Sequence, residues 1–273
     1  MTIASYRTQL PGQSLRNIKN TIAIGSGKGG VGKSTATVSL ALTLAKQGRR
    51  VGILDADIYG PSMPQMLGKQ AEVKIIDDKY QPVMVEGIQV MSMGYLLQDD
   101  KMPLIWRGPM LAKSLIQMLD KTAWDNLDYL LIDLPPGTGD IQLSLVQKIP
   151  LTAALVVTTP QTVATNDAGK ALGMFEKTSI HVLGIIENMA TYTCSACGHE
   201  SHVFGHGGGN RLAQQYDAPL LGSVPLSADI CKNSDGAHLV AHPAYQTIAK
   251  QMEEQLEKRP LNYADTFPPI VVE

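Results

Sequence analysis

Cysteine is scarce. There are three in 273 residues, an odd number too small for a disulfide framework and better suited to metal or redox chemistry. Aromatic residues make up only 5%, which argues against a surface on which bases could stack. Positive charge is not in excess: the net charge is -2 and the isoelectric point about 6.3, so nothing points to a global grip on nucleic acid. Long apolar runs are missing too. The longest, such as "YLLIDL" and "AALVVTT", fall far short of the ~20 residues that a spanning helix needs. The opening "MTIASYRTQLPGQSLRNIKN" holds no apolar stretch able to act as a secretion signal. These gaps predict a cytoplasmic protein with reduced thiols, bound to neither nucleic acid nor membrane.

What is present is an alternation. Hydrophobic residues make up 44% and charged residues 18%, ordinary for a globular chain with a large core. "NTIAIGSG", "RVGILDAD", "DYLLIDLPP", "TAALVVTTP" and "HVLGIIENM" are nearly continuous in apolar residues, as parallel strands covered on both faces are. Between them, "KSTATVSLALTLAKQG", "GPMLAKSLIQMLDK" and "TVATNDAGKALGMFEK" have helical periodicity. The alternation predicts an α/β fold, a doubly wound and mostly parallel sheet with right-handed crossovers. "EVKIIDDKYQPVMVEGIQVMSMG" breaks the rhythm and reads as an inserted antiparallel hairpin near 72–94, with its turn near Asp77–Tyr80. "HPAYQTIAKQMEEQLEKR" reads as a closing surface helix. The expected organisation is a leader over 1–16, one domain over 17–258 and an extended, Pro-punctuated tail over 259–273.

"GKGGVGKS", from Gly27 to Ser34, matches G-x-x-x-x-G-K-[ST], after a predicted strand and opening a predicted helix. Its run of Gly27, Lys28, Gly29, Gly30, Val31 and Gly32 lets the backbone wrap closely and aim N–H groups at phosphate oxygens, beside a helix N-terminus. Lys33 would reach the β- and γ-phosphates, and Ser34, followed by Thr35, would hold Mg²⁺. Asp133 stands where the strand in "LLIDLPPGTGD" stops, placed to order a Mg²⁺ water shell, and the Gly137 N–H could meet the γ-phosphate. Asp55 and Asp57 follow another apolar strand. Asp55 suits outer support of the metal and Asp57 orientation of the attacking water; both also fit turn or helix-cap acids. Lys28 lies inside the loop. It can point away from its own nucleotide toward the phosphates of a facing subunit, or simply into solvent.

Together these residues resemble the deviant-Walker ATPases, the MinD, ParA and nitrogenase iron protein class, whose loop reads K-G-G-x-G-K-[ST]. Within that class "GSGKGGVGKST", "LDADIYGPSMPQMLG", "WRGPM", "LDYLLIDLPPGTGD", "VVTTPQTVA" and "ENMATYTCSACGH" resemble the Mrp (ApbC/Nbp-type) iron–sulfur carrier family, in that family's order, over about Asn17 to Gly236. The resemblance implies a P-loop fold, a homodimer, ATP hydrolysis with Mg²⁺, and a 4Fe–4S cluster bridging the subunits. It gives Lys28 the signature-lysine role, Lys33 and Ser34 the phosphate and metal roles, and Asp57 and Asp133 the switch acids. It makes Asn188 the adenine reader, and its amide offers the donor and acceptor that a base edge needs; a structural strand-end Asn is the plainer alternative. Cys194 and Cys197 become cluster ligands. Apo iron–sulfur proteins are then the recipients, with separate iron and sulfur donors. Many relatives carry a small extra domain before the P-loop domain, where this sequence has its short leader. Cys231 matches no ligand and reads as a small core residue.

"TYTCSACGHESHVFGHGGG" holds the C-x-x-C pair, Cys194 and Cys197, in a loop near 190–206. Two thiolates are half of a Cys₄ site, and a two-fold axis would bring the other half. Soft thiolates select an iron–sulfur cluster or zinc. His199, His202 and His206 lie close enough in sequence for a Cys₂His₂ zinc site within one chain instead. A redox pair and purely structural thiols are further alternatives. "HGGG" reads as a turn leading into "GNRLAQQY". Rival functions are a MinD- or ParA-like positioning ATPase and a zinc-clamped chaperone ATPase.

Overall fold

The computed structural model describes residues 3–6, 15, 17–58, 60–68, 71–96, 108–230 and 241–261. Most of the leader and tail, Trp106 and Arg107 of "WRGPM", and Cys231 lie outside the described residues.

Five runs of apolar sequence form the predicted parallel strands: β1 (Ile18–Gly25), β2 (Val51–Asp55), β7 (Leu127–Asp133), β8 (Ala153–Thr158) and β9 (Val182–Glu187). They are buried almost throughout, so both faces need apolar side chains. Three more strands complete an eight-stranded sheet: β5 (Val83–Val85), β6 (Ile88–Ser92) and β12 (Leu220–Ser223), in the order β12-β9-β8-β1-β7-β2-β6-β5. Only β5 runs antiparallel to its neighbour, β6.

Side chains alternate across the pleat. Ile22, Ile24, Ile53, Leu131 and Leu155 face α1 (Lys33–Lys46) and α8 (Ala244–Glu257). Ala23, Leu54, Leu130, Ile132 and Val156 face α4 (Gly108–Lys121), α5 (Asp140–Lys148), α6 (Thr162–Lys177) and α7 (Gly208–Tyr216). The result is three layers, helix–sheet–helix, with a core on each side of the sheet. α8 is exposed on one face only; Tyr245, Ile248, Ala249 and Met252 are buried. The short helices α2 (Met63–Met66) and α3 (Met93–Leu96) bring Met63, Met66 and Met93 into the core, so these methionines are packing.

The insertion departs from the expected single hairpin. β3 (Ile75–Ile76) and β4 (Lys79–Tyr80) form one small hairpin around Asp77 and Asp78, whose φ values are 51° and 59°. β5 and β6 form a second, around Glu86 and Gly87 with φ 47° and 79°. Both are two-residue turns of the kind that matches strand twist. β6 pairs in parallel with β2, so the second hairpin is part of the central sheet. That pairing is non-local, and alternation along the chain does not reveal it.

Candidate nucleotide and thiol sites

β1, β7 and β2 lie side by side and in register, so everything at their carboxyl ends converges. The loop from Ser26 to Gly32 joins β1 to α1. Its conformation is held from three sides. Ser26 Oγ donates to Lys28 O at 3.0 Å. A side chain at Gly27 would drive into the α6 backbone, 2.0 Å from Asp167 C, so only glycine fits. Gly32, with φ 84°, lies where an added carbon would meet Asn188 Nδ2 at 2.2 Å.

Lys33 is 6% exposed and its Nζ lies 2.7 Å from Asp133 Oδ2. Ser34 Oγ donates to the same Oδ2 at 2.6 Å, and Thr37 Oγ1 donates to Oδ1 at 2.8 Å. Both oxygens of a fully buried carboxylate are thus fixed by the N-terminal two turns of α1. Asp55 sits next to Asp133 in the strand register and is 1% exposed. It accepts from Ser92 Oγ at 2.9 Å, from Asp57 N–H at 3.1 Å and from Met63 N–H at 3.4 Å. Burial, then the charge on Asp133, push the Asp55 carboxyl up to about 7, against Ser92 and Lys33. Two carboxylates and a hydroxyl beside a lysine fit a hard divalent cation as well as phosphate oxygens.

Ser92 and Thr37 were not expected from sequence. Each is invisible as a motif and matters only through register: Ser92 pairs with Asp55 across β6 and β2, and Thr37 lies one turn beyond Lys33. Asp57 and Lys28 are half-buried, Asp57 just beyond β2 and Lys28 in the loop. Among the described residues Lys28 has no carboxylate partner. Thr35 is half-buried in the first turn of α1. Gly137, with φ 98°, departs from expectation: its N–H donates to Ser26 O at 2.9 Å, so that hydrogen is already spent on the loop. Asn188, 5% exposed, follows β9 and donates Nδ2–H to Val31 O at 2.9 Å. In this state the amide braces the phosphate loop.

The thiols occupy a separate projection. β10 (Tyr192–Thr193) and β11 (Glu200–Ser201) form a small hairpin with Cys194 and Cys197 at its tip. The Cys194 N–H donates to His199 O at 2.9 Å, and Gly198 N–H donates back to Cys194 O at 2.8 Å, with Gly198 at φ 71°. Cys197 is exposed and Cys194 half-buried. The backbone N–H of Ala196, then that of Cys197, then the Cys197 thiol, hold the Cys194 thiol below its ordinary range. The single-chain Cys₂His₂ arrangement is not assembled: His202 Nδ1 faces Ala190 O at 3.1 Å, and His202 stacks obliquely on His206 at 5.6 Å. Among the described residues no three His, Cys, Asp or Glu side chains gather as a metal site. No helix among them is long and apolar enough to cross a membrane.

A strand, a glycine loop and a helix that aim a buried lysine, a hydroxyl and two acids at one point define a P-loop nucleoside triphosphatase fold. A nucleotide-binding protein from Archaeoglobus fulgidus, solved in complex with ADP, is 41% identical, with a TM-score of 0.74 over 85% of this chain and 92% of that one. The cell division ATPase MinD of Pyrococcus furiosus shares the fold at 22% identity and a TM-score of 0.64, over 86% and 98% of the two chains. The NUBPL iron-transfer P-loop NTPase model matches residues 17–259, and the chain belongs to that family. The iron-sulfur cluster carrier protein of Pseudomonas fragi is 52% identical over 236 residues, 85% of this chain and 82% of that protein. The protein of the same description from Escherichia coli K12 is 52% identical over 223 residues, 81% of this chain but only 60% of that protein. This chain therefore spans less than two thirds of the Escherichia coli relative.

Proposed function

We propose that the protein binds and hydrolyses ATP and carries a 4Fe–4S cluster, held between two copies of the chain, to apo iron–sulfur proteins in the cytoplasm. The observation that carries this reading is the thiol tip: Cys197 exposed and Cys194 half-buried three positions before it, its thiolate favoured by backbone N–H groups, on a P-loop protein and without a third ligand among the described residues. Half a coordination sphere on an exposed turn calls for a second half, and a two-fold axis supplies Cys194 and Cys197 again. Iron and sulfur donors load the cargo; neither nucleic acid nor membrane takes part. The family model's span of 17–259 supports reading 17–258 as one P-loop domain.

In the nucleotide site the triphosphate competes with Asp133 for Lys33. The backbone N–H groups of Gly29 to Gly32 and the start of α1 receive the phosphates. Ser34 and Asp133 would hold Mg²⁺, with Asp55 behind them; when bound it neutralises charge on the phosphate oxygens. Asp57 orients the attacking water. Lys28 of the facing copy neutralises charge that develops on the transferred phosphoryl group. Asn188 keeps its amide oxygen for the adenine edge while Nδ2 holds Val31 O.

Anaerobic reconstitution, with native mass, iron, sulfide and zinc measured on one sample, tests this reading. The expected product is a dimer with iron and sulfide in equal amounts, lost in Cys194→Ala, whose ATP turnover disappears in Lys28→Ala. Zinc without sulfide on a single chain would sink it in favour of the zinc-clamped alternative.

A further inference from the structure

Glu187 is a buried carboxylate for which the nucleotide site has no use. It ends β9, is 5% exposed, and has no cation partner among the described residues. A carboxylate buried without a counter-charge must be satisfied by hydrogen-bond donors. Gly209 N–H supplies one at 2.7 Å and Ser223 Oγ a second at 3.2 Å. Gly209 lies in the first turn of α7, so the carboxylate also faces the positive end of that helix.

This contact closes a loop. The chain leaves the sheet directly after Glu187, runs out through Cys194 and Cys197, and returns to the Glu187 side chain 22 positions later. The glycines of "HGGG" make the return possible. A carbon on Gly208 would meet Pro160 O at 2.4 Å, and one on Gly209 would lie 3.1 Å from Glu187 Cβ and 3.2 Å from its Cδ. α7 therefore starts wedged against the ends of β8 and β9. The outgoing limb is pinned as well: Asn188 Nδ2 to Val31 O, Ala190 N–H to Val224 O, and Leu226 N–H to Thr191 O. One end of the thiol loop thus rests on the phosphate loop while the other is fixed to Glu187. A shift of the Val31 carbonyl when phosphates enter can be taken up by tilting the hairpin, because its base cannot slide.

We infer that Glu187 is a positioning residue for the thiol pair, clamping the base of its loop so that nucleotide in the P-loop sets the exposure of Cys194 and Cys197. The inference rests on the proposed nucleotide binding, and not on which cargo the thiols carry. A ligand moves such an equilibrium only through contacts that differ between the two states; Asn188 stays on Val31 O in both, and what differs is where the phosphates hold that carbonyl.

The test is maleimide alkylation of the full-length, metal-free protein with and without Mg-ATP, mapped by peptide mass so that Cys231 is scored separately. ATP binding is measured on the same samples. ATP is expected to change the rate at Cys194 and Cys197 by about fivefold in the wild type. Glu187→Ala should bind ATP yet lose that response, and Glu187→Gln, whose amide oxygen still accepts from Gly209, should restore it. A merely structural residue would alter the basal rate and leave the ATP response in place. Should Glu187→Ala not fold, Ser223→Ala removes one donor and should reduce the response; an undiminished response there overturns the inference. So does ATP binding by the wild type with unchanged alkylation, or a full response in Glu187→Ala. Absence of ATP binding overturns the nucleotide reading along with it, whereas absence of a cluster leaves this inference standing.

Discussion

Gly32→Ala probes the junction of phosphate loop and Asn188 most directly. The residue sits at φ 84°, and an added carbon would approach Asn188 Nδ2 to 2.2 Å. Left-handed backbone costs alanine about 1–2 kcal/mol. Pushing Asn188 off Val31 O forfeits a buried hydrogen bond, about 1 kcal/mol more. The sum, about 2–3 kcal/mol, corresponds to about 30- to 150-fold in a binding constant. Titration with a fluorescent ATP analogue, paired with a melting curve, shows how the loss divides between nucleotide affinity and stability. Adding Asn188→Ala separates the two causes: the collision disappears and the backbone strain remains, so the double variant should melt higher than additivity of the single losses implies. Binding within about threefold of wild type, with an unchanged melting temperature, would refute the account of the loop, since so small a change is under ~1 kcal/mol.

Two further outcomes follow from the acids. The Asp55 carboxyl titrates near 7 when folded against an ordinary value of 3.8, so its contribution to stability is full at acid pH and is lost as pH rises through about 7. Nucleotide-free Asp55→Asn should accordingly melt at a temperature less dependent on pH between about 5 and about 8, and higher than wild type at the upper end; parallel curves would contradict the buried-pair argument. Thr37→Val removes the 2.8 Å bond to Asp133 Oδ1 and should lower kcat for ATP about tenfold, a loss of ~1.4 kcal/mol, with KM little changed and Thr37→Ser close to wild type; an unaltered kcat would make Thr37 mere packing.

The parts legible in the sequence are those whose cause is local. A parallel strand buried on both faces must be apolar along its length, so β1, β2, β7, β8 and β9 announced themselves. The phosphate loop was readable because backbone curvature demands glycine at fixed offsets before Lys33. β12 was missed: it is four residues long, with Gly222 inside it, and exists because β9 offers an open edge. Ser92 and Thr37 carry no motif, and what they do depends on which strands end side by side. The Gly137 N–H was assigned to phosphate because nothing in the sequence places Ser26 O within its reach. The histidines near the thiols suggested a ligand set by proximity along the chain, and the hairpin turns His202 back toward Ala190 instead.

The seat of Gly27 against the Asp167–Ala168 peptide has an evolutionary corollary. One wall of the phosphate loop is main chain, and no substitution deletes main chain. The outward side chains of α6, Val163, Asn166 and Lys170 among them, are exposed and can be rewritten without touching that wall. A lineage can thus recruit new associates on this helix while the machinery behind it keeps its shape.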